Sequence, residues 1–354
     1  MNDSFSSRLD EPAARGLALS GVPLPVFSAP PHDPMGHAPE RRARSVRRTM
    51  TLDAIWLEGE DGPASFAGDA RDIWTAADGA APTTLREAHI DVVARQRVIE
   101  RISGVPDRAE FAALAGARAG GHLRQAVDAA FHAERMAGAP LYLLLDDLAG
   151  ATLVCNWAWS VWRPDWQVAA TREARRAHMQ RMEGVCIGFR PGSSALQLQG
   201  ENDMRQNRTR VVPLARRDDP EGWHALVERA PMNFRRARRL DVWREEGLIR
   251  VDAAFQDSSS APDGGDRVAI HEYRLRATAD AGEGRLLAID IKPGTLPYKE
   301  CPAAMANVGE LIDVPLANLR VVVLERLRRT AGCTHLNDML RALAEVPALA
   351  TDIP

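Results

Sequence analysis

The stretch Arg47-Arg48-Thr49-Met50-Thr51-Leu52-Asp53-Ala54-Ile55-Trp56 decides how the fold is interpreted, because its pattern occurs twice. Two arginines, a leucine, an aspartate and a tryptophan recur in Arg235-Arg236-Ala237-Arg238-Arg239-Leu240-Asp241-Val242-Trp243, the first four at an offset of 188 positions. Shorter matches follow in the same order: residues 85–90 with 270–275, and 134–138 with 328–332. Ordered matches at nearly constant spacing indicate an internal repeat. We therefore predict that the chain contains two tandem copies of one unit.

Each copy is expected to begin with extended segments and to end with helices. Alternation of apolar and polar residues, the pattern of half-buried antiparallel strands, is found in residues 52–56, 85–93, 98–102, 240–243, 248–255, 268–278 and 285–291. The period then becomes helical in residues 111–114, 123–131, 316–327 and 336–343. The predicted fold class is α+β, with two antiparallel sheets, each carrying helices on one face, in a pseudo-twofold chain.

Composition divides the chain into four parts. Residues 1–45 contain Ser, Pro, Gly and Arg with few bulky apolar residues, which predicts a disordered or wrapping arm. The first repeat is expected at 46–167 and the second at 233–354. Residues 168–232 are predicted to form a linker with an exposed helix at 173–182 and a turn-rich loop after it. Within the second repeat, residues 257–266 (DSSSAPDGGD) predict a flexible loop between strands.

The overall composition excludes several classes of protein. The 354 residues are 45% apolar and 26% charged with a net charge of −3, so there is no electrostatic case for binding nucleic acid or an anionic membrane. No apolar run approaches the ~18–20 residues of a membrane span, and there is no signal-peptide pattern. Four widely spaced cysteines do not form a secreted disulfide framework, and a cytoplasmic location is expected. Phosphate-loop, dinucleotide, zinc-protease and serine-hydrolase motifs are absent from the sequence.

The segment Gly332-Cys333-Thr334-His335-Leu336 is the most specific short motif. It places a thiol and an imidazole near a helix N-terminus, where anions are favoured, although a plain glycine C-cap and threonine N-cap give the same pattern. With Cys301-Pro302 before it and His271 at the start of a strand, the motif resembles the bacterial domain-of-unknown-function family 2889. The resemblance covers about residues 233–345, whereas the first copy has Ala139-Pro140-Leu141 in place of the Cys-Thr-His triplet.

The order of strands, cysteine and helices in the second copy also resembles, more distantly, the NifU/SufE iron–sulfur scaffold fold. That resemblance implies metal ligands at Cys301, Cys333 and His335, with Asp290 able to complete the set. A tetrahedral site needs four ligands, or three and a water molecule. A metal or iron–sulfur-linked binding module is therefore the alternative function.

The second copy also concentrates groups that can transfer protons. His271 and Tyr273 lie two positions apart in a predicted strand and therefore share one face. The two lysines of the chain, Lys292 and Lys299, lie in one short segment, although 45 residues are Lys or Arg. The candidate catalytic residues here are His271, Tyr273, Lys292, Tyr298 and His335, and Asn337 is a candidate binding residue.

The first copy carries an aromatic patch beside two carboxylates. Trp157 and Trp159 have the spacing of a strand and are expected to share a face, where they either wall a pocket for an aromatic ligand or fill the core. Asp146 and Asp147 are expected to end an apolar helix. Asp147 either pairs with an arginine or acts as a general base with a raised pKa.

These residues favour a cofactor-independent lyase that acts on a small aromatic alcohol. A base would take the hydroxyl proton and a carbon–carbon bond would break, without a redox cofactor. The chain is similar in this respect to lyases that release formaldehyde from lignin-derived phenylcoumaran dimers. A cleft between the halves would hold the substrate. The remaining hypotheses are the metal-linked module and a purely structural partner protein, and the sequence is compatible with a homodimer.

Overall fold

Alternating apolar residues build one large antiparallel sheet. The computed structural model describes residues 17–18, 34–79, 81–163, 172–196, 208–227, 229 and 231–354. Its strands are β1 (Leu17–Ala18), β2 (Ser45–Ile55), β3 (Ala64–Thr75), β4 (Thr83–Arg95), β5 (Val98–Val105), β6 (Thr209–Arg210), β7 (Phe234–Glu245), β8 (Leu248–Ser259), β9 (Val268–Asp280) and β10 (Leu286–Pro293). Their order is β1-β10-β9-β8-β7-β2-β3-β4-β5, with β6 beside β9.

The described residues also form eight α-helices. These are α1 (Gly121–Ala130), α2 (His132–Met136), α3 (Pro140–Val154), α4 (Ala158–Trp162), α5 (Arg172–Met182), α6 (Leu319–Arg326), α7 (Thr334–Ala342) and α8 (Val346–Thr351). Short 3-10 helices lie between them, the longest at Cys301–Leu311. The α+β class predicted from the sequence is confirmed. In the described parts of the chain, none of the helices combines the length and the apolar character needed to cross a membrane.

The two repeated stretches lie side by side at the centre of the sheet, as β2 and β7. Their antiparallel register pairs Arg47 with Asp241 and Asp53 with Arg235. Both pairs are also ion pairs, at 2.5 and 2.6 Å respectively. From this centre, β3, β4 and β5 extend the sheet on one side, and β8, β9 and β10 extend it on the other. The expectation of two separate sheets is wrong, because β2 and β7 pair and join the two halves into one sheet.

The helices cover one face of the sheet and enclose two apolar cores. The first core joins β2, β3 and β4 to α1 and α3, with Leu52, Ile90 and Leu144 fully buried. The second joins β8, β9 and β10 to α6, α7 and α8, with Leu275 and Leu340 fully buried. Burial of apolar area at about 25 cal/mol per Å² is the main stabilising contribution of both cores.

A layer of buried ion pairs separates the two cores. Arg48 of β2 donates to both carboxylate oxygens of Asp72 at 2.6 and 2.7 Å, and to Glu345 at 2.8 Å. Arg236 of β7 forms the same kind of bidentate pair with Asp257, with hydrogen bonds of 2.8 and 2.9 Å. Buried charges are tolerated only when they are paired and hydrogen-bonded, and these geometries meet that requirement.

The opposite face of the sheet is covered at its centre by residues 208–227. His224 lies against β2, with its two ring nitrogens 2.9 Å from the hydroxyl oxygens of Thr49 and Thr51. Gly222 is required beside it, because a Cβ there would lie 2.5 Å from the Asp219 carboxylate and 2.9 Å from the Arg47 guanidinium. Residues 208–227 of the predicted linker therefore pack on the sheet.

We predict that His224 makes the fold sensitive to acid. Burial lowers its pKa to about 4, from an ordinary value of 6.5. Because the folded state holds the proton less tightly than the unfolded state, stability is lost as the pH falls from 6.5 to about 4. The shift corresponds to about 3 kcal/mol.

Urea unfolding at several pH values checks this prediction. In His224→Gln, the decrease in unfolding free energy between pH 6.5 and about 4 should be smaller than in the wild type by about 3 kcal/mol. Equal decreases in the two proteins would show that His224 does not carry the effect.

Most predicted strands agree with the structure, but two segments differ. The predicted loop at 257–266 is wrong at its start, because Asp257 belongs to β8, which continues to Ser259. The predicted extended spacing of Trp157 and Trp159 is also wrong, since Cys155–Trp157 is a 3-10 helix that runs into α4. In addition, the sequence analysis predicts no strand at the position of β3 in the first half.

The predicted arm and linker are described only in part. Residues 1–16, 19–33, 164–171 and 197–207 lie outside the described residues. Within the arm, β1 pairs with β10. Regular structure in the first half starts at Ser45, close to the predicted boundary. The helix expected at 173–182 is α5.

Candidate functional site

Three chemically active side chains meet where α7 begins above the sheet. The register of β8 and β9 places Asp257 opposite His271. The chain then returns through Gly332, and α7 starts at Thr334, which brings His335 over the same point. In the described residues, Asp257, His271 and His335 form one set of possible ligand atoms that all lie within 4.8 Å of one another.

The two imidazole rings are stacked face to face. Their centroids are 3.4 Å apart and their planes differ by 17°. His271 Nδ1 lies 3.3 Å from Asp257 Oδ2, and His335 Nε2 lies 3.8 Å from the same oxygen. The His335 side chain is 15% exposed and that of His271 is 6% exposed, so His335 is the more accessible ring.

Asp257 is charged and held by its partners. Burial alone would raise its pKa, but the Arg236 guanidinium and His271 hold the pKa of Asp257 well below its usual range. Arg236 also donates to Asp338 at 3.3 Å, so its charge is shared between two carboxylates. This arrangement fixes the carboxylate that faces the histidine pair.

Both histidines are neutral near neutral pH. Burial lowers the pKa of His271, although Asp257 opposes the change. Burial also lowers the pKa of His335 well below its ordinary value, and the adjacent His271 ring lowers it further. A neutral imidazole has a free lone pair, so either ring can accept a proton or bind a cation.

Two further predicted residues lie beside α7 but serve the packing. The Tyr273 hydroxyl is fully buried, 3.5 Å from Cys333 Sγ. Asn337 donates from its side chain to the Leu327 carbonyl at 2.7 Å, which ties α7 to the end of α6. Both residues lie close to the histidine pair in the fold, and these contacts hold the start of α7 in position.

The predicted base Asp147 is paired with Arg238. Arg238 donates to both carboxylate oxygens of Asp147, one of them at 2.7 Å. Burial raises the pKa of Asp147, and Arg238 lowers it. Its neighbour Asp146 accepts from Arg320 and Arg341, each at 2.8 Å. Both carboxylates therefore join α3 to arginines of the second half. The expectation that they end the helix is wrong, because α3 continues to Val154.

Lys292 and Tyr298 do not join the histidine pair. Lys292 is opposite Arg274 in the register of β10 and β9, and it alternates with Ile291, which belongs to the helix-side core. The Lys292 side chain therefore lies on the other face of the sheet. Tyr298 packs edge-on against Phe189, with centroids 5.4 Å apart. The predicted set of proton-transfer groups is thus divided among three places.

The two tryptophans of the predicted pocket contact different clusters. Trp157 is buried in a small group with Ala261, Val268 and Ile270. Trp159 packs edge-on against Trp56, with centroids 5.7 Å apart. Because the segment is helical, adjacent odd-numbered residues do not share a face. The expectation of one wall formed by both rings is wrong.

The alternative metal set is not formed in the structure. Within the described residues, Cys301, Cys333 and His335 are not a group whose ligand atoms all lie within 4.8 Å of one another. Asp290 lies in β10 opposite Arg276. Cys301 and Cys333 instead belong to the apolar core around α7.

Sequence reasoning missed Asp257, Arg236 and Cys186. Asp257 continues the inward alternation of Val251, Ala253 and Phe255, so the strand pattern could have placed it on the helix side. Cys186 is near Cys301, since a Cβ on Gly188 would lie 3.8 and 3.1 Å from the two sulfur atoms. No local pattern links these two cysteines.

We predict that the four thiols do not react in the folded protein. All four cysteines are free and buried. Burial raises the pKa of Cys155 to about 12 and that of Cys186 to about 11. Thiolate, the reactive form, is therefore scarce at pH 8. A disulfide reagent should label none of the thiols in native protein and all four after unfolding, and rapid native labelling would contradict their burial.

Comparisons with known proteins give one family match. No curated protein and no solved structure was found to match the chain. The matched segment contains Arg236, Asp257, His271 and His335, which are the residues of the site described above. Residues 234–349 match the family model described as "Protein of unknown function (DUF2889)".

Proposed function

We propose that the protein is a cofactor-independent lyase that acts on a small aromatic alcohol, with His271 and His335 as its acid–base centre. The observation that supports this proposal is the stacked pair of neutral imidazoles beside a buried, charged carboxylate. A general base works best when it is unprotonated at the working pH and accessible to the substrate. His335 is the more exposed of the two rings, with 15% of its side chain exposed, and burial lowers its pKa.

The proposed reaction removes a hydroxymethyl group as formaldehyde. His335 accepts the proton of the substrate hydroxyl, the adjacent carbon–carbon bond breaks, and formaldehyde leaves. The electron pair of that bond stays on the substrate carbon, which then takes the proton back from the imidazolium. Asp257 stabilises the positive charge on the ring pair while the proton is held. The reaction converts the alcohol to formaldehyde and the protonated remainder of the substrate, and it needs no oxidant or reductant.

Two buried aromatic side chains, Phe255 and Trp157, lie near the histidine pair. The Phe255 ring centroid is 6.2 Å from that of His335. Trp157 packs with Ile270, the residue before His271. Aromatic rings favour edge and offset contacts with other rings at these distances.

A formaldehyde assay tests the proposed function. Protein treated with EDTA would be incubated with aromatic alcohols that carry a hydroxymethyl group, including phenylcoumaran dimers. Formaldehyde formed in proportion to loss of the alcohol would support the lyase. Absence of formaldehyde across one-ring and two-ring alcohols, from a folded protein, would reject it.

A metal centre at the same three residues is the second candidate. The observation that favours it is the convergence of Asp257, His271 and His335, together with a buried His271 Nδ1 that has no hydrogen-bond partner in the described chain. Two histidines and a carboxylate are a common ligand set for non-haem iron. However, lone pairs lie in the plane of each ring, so two parallel rings do not point at one common ion. One ring would have to turn, and Asp257 would have to share its oxygens with Arg236.

Metal analysis separates the two candidates. Stoichiometric zinc or iron in purified wild-type protein, lost in both His271→Asn and His335→Asn, would favour the metal centre. The same metal content in Cys301→Ala would show that the thiols are not ligands. Activity in protein that is free of metal would support the acid–base proposal over the metal centre.

We further propose that the two halves are tandem copies related by a pseudo-twofold axis. Reciprocal pairing of β2 with β7 and the matched arginine–aspartate pairs, Arg48 with Asp72 and Arg236 with Asp257, support this. On this alignment, Arg86 and Leu141 take the places of His271 and His335, so only the second copy carries the site. The likeness of each copy to the NifU/SufE scaffold, the cytoplasmic location and the homodimer stay predictions.

A further inference from the structure

A cleft of about 390 Å³ lies where the helices of the two halves meet. One wall comes from α1 and α3 of the first half, and the other comes from α6 and α7 of the second half. Its lining includes Arg124, Tyr142, Arg320, Leu324 and Arg341. The volume is within the range of small-molecule sites and is sufficient for one aromatic ring with a substituent.

Two arginines that line the cleft have N–H groups without an acceptor among the described residues. Arg341 is 4% exposed, and its Nη1 is buried without a hydrogen-bond partner among the described residues. Nε of Arg124 is also buried without a hydrogen-bond partner among the described residues. Their closest carboxylate oxygens are 3.8 and 3.7 Å away, beyond hydrogen-bond distance. An unpaired buried donor costs about 1–3 kcal/mol, which an arriving acceptor would recover.

The neighbouring carboxylates are already used by other donors. Asp146 accepts from Arg320 and Arg341, one at each oxygen. Asp338 accepts from Arg124 at one oxygen and from Arg236 at the other. Each oxygen of these two carboxylates therefore has an arginine donor already, and an anionic ligand would supply the acceptor that Arg341 Nη1 and Arg124 Nε lack among the described residues.

The rim of the cleft is apolar and open to solvent. Val321 and Leu324 of α6 are 49% and 45% exposed, and they are among the most exposed large apolar residues described. Tyr142 lies across from them, with the Arg320 guanidinium 4.6 Å from its ring centroid. Of the acidic side chains that line the cleft, Asp128 is bound by Arg135 and the Tyr142 hydroxyl. Glu325, the other, is exposed on the outer edge.

We propose that this cleft binds a small aromatic carboxylate. The carboxylate would accept hydrogen bonds from Arg341 and Arg124, and the ring would pack on the exposed side chains of Val321 and Leu324. Planar guanidinium groups suit carboxylates because they donate in a fork that matches the two oxygens. The site is distinct from the histidine pair, and the proposal does not depend on lyase activity.

Fluorine NMR titration with 4-fluorobenzoate tests the proposal. The wild-type protein should show saturable binding, and 4-fluorobenzyl alcohol, which lacks the charge, should bind at least ~10-fold more weakly. In Leu324→Asp, a carboxylate added at the rim should weaken 4-fluorobenzoate binding by ~10-fold or more. Leu153→Asp is the matched control, because Leu153 is 50% exposed elsewhere and its variant should bind like the wild type.

Three results would overturn the proposal. Binding that does not saturate in the wild type would show that no site exists, and equal affinity for the alcohol would show that the charge is not recognised. Unchanged affinity in Leu324→Asp would place the site elsewhere. Formaldehyde release is measured separately, so failure of this site and failure of the lyase are distinguishable.

Discussion

His335→Gln should lose about 10²–10⁴-fold in kcat/KM for formaldehyde release on any substrate that the wild type converts. Glutamine keeps a similar size and a polar side chain but cannot accept and return a proton at neutral pH. His335 is on the first turn of α7 and is partly exposed. The unfolding free energy should therefore change by only about 1 kcal/mol. Steady-state kinetics and urea unfolding on the same preparation measure the two quantities.

The matched control is His122→Gln, since His122 is exposed on α1 and far from the site in the sequence. It should keep wild-type kinetics. The acid limb of the wild-type pH profile should fall below the ordinary histidine pKa of 6.5, because burial lowers the pKa of His335. A His335→Gln enzyme with wild-type kcat/KM would show that another group is the base.

Arg48→Met should destabilise the fold by about 3–5 kcal/mol. Arg48 is completely buried and donates to Asp72, Glu345 and the Gly138 carbonyl. Its removal leaves two buried carboxylates with fewer partners, and a buried charge without a partner is far more costly than the pair is favourable. Urea unfolding gives the difference directly.

Two companion variants keep this prediction testable if Arg48→Met does not fold. Arg48→Lys retains the charge but cannot form the bidentate pair with Asp72. Its loss of unfolding free energy should therefore lie between zero and the loss in Arg48→Met. Arg42→Met removes an exposed pair with Glu245, 2.9 Å in length, and should cost at most about 1 kcal/mol. Similar losses in Arg48→Met and Arg42→Met would contradict the role assigned to the buried layer.

The strands were predictable because alternation is a local signal. The predicted segments 248–255 and 268–278 lie within β8 and β9, and the predicted helical period at 336–343 matches most of α7. The strand prediction for the tryptophan segment is wrong because it also rests on a local pattern alone. Two tryptophans at a spacing of two residues suit a strand, but so short a pattern does not exclude a helix, and packing against the core decided between them.

The candidate site was only half predictable. His271 and His335 were recognised as chemically active residues, yet their stacking depends on where α7 returns over β9. The sequence around Asp257 predicts a loop, because its neighbours are serine, proline and glycine, which are turn residues. The partners of Asp147 and of Cys186 come from distant parts of the chain, and contacts of that kind are set by the tertiary fold rather than by spacing.

The most direct test of the central claim is an NMR titration of the His271 and His335 imidazoles in EDTA-treated protein. Both rings should be mostly neutral at pH 6.5, the ordinary histidine pKa, and should take up a proton at lower pH. Added zinc should leave their ring nitrogen shifts unchanged. A charged imidazolium at neutral pH, or nitrogen shifts that move to metal-bound values with zinc, would contradict a neutral acid–base pair.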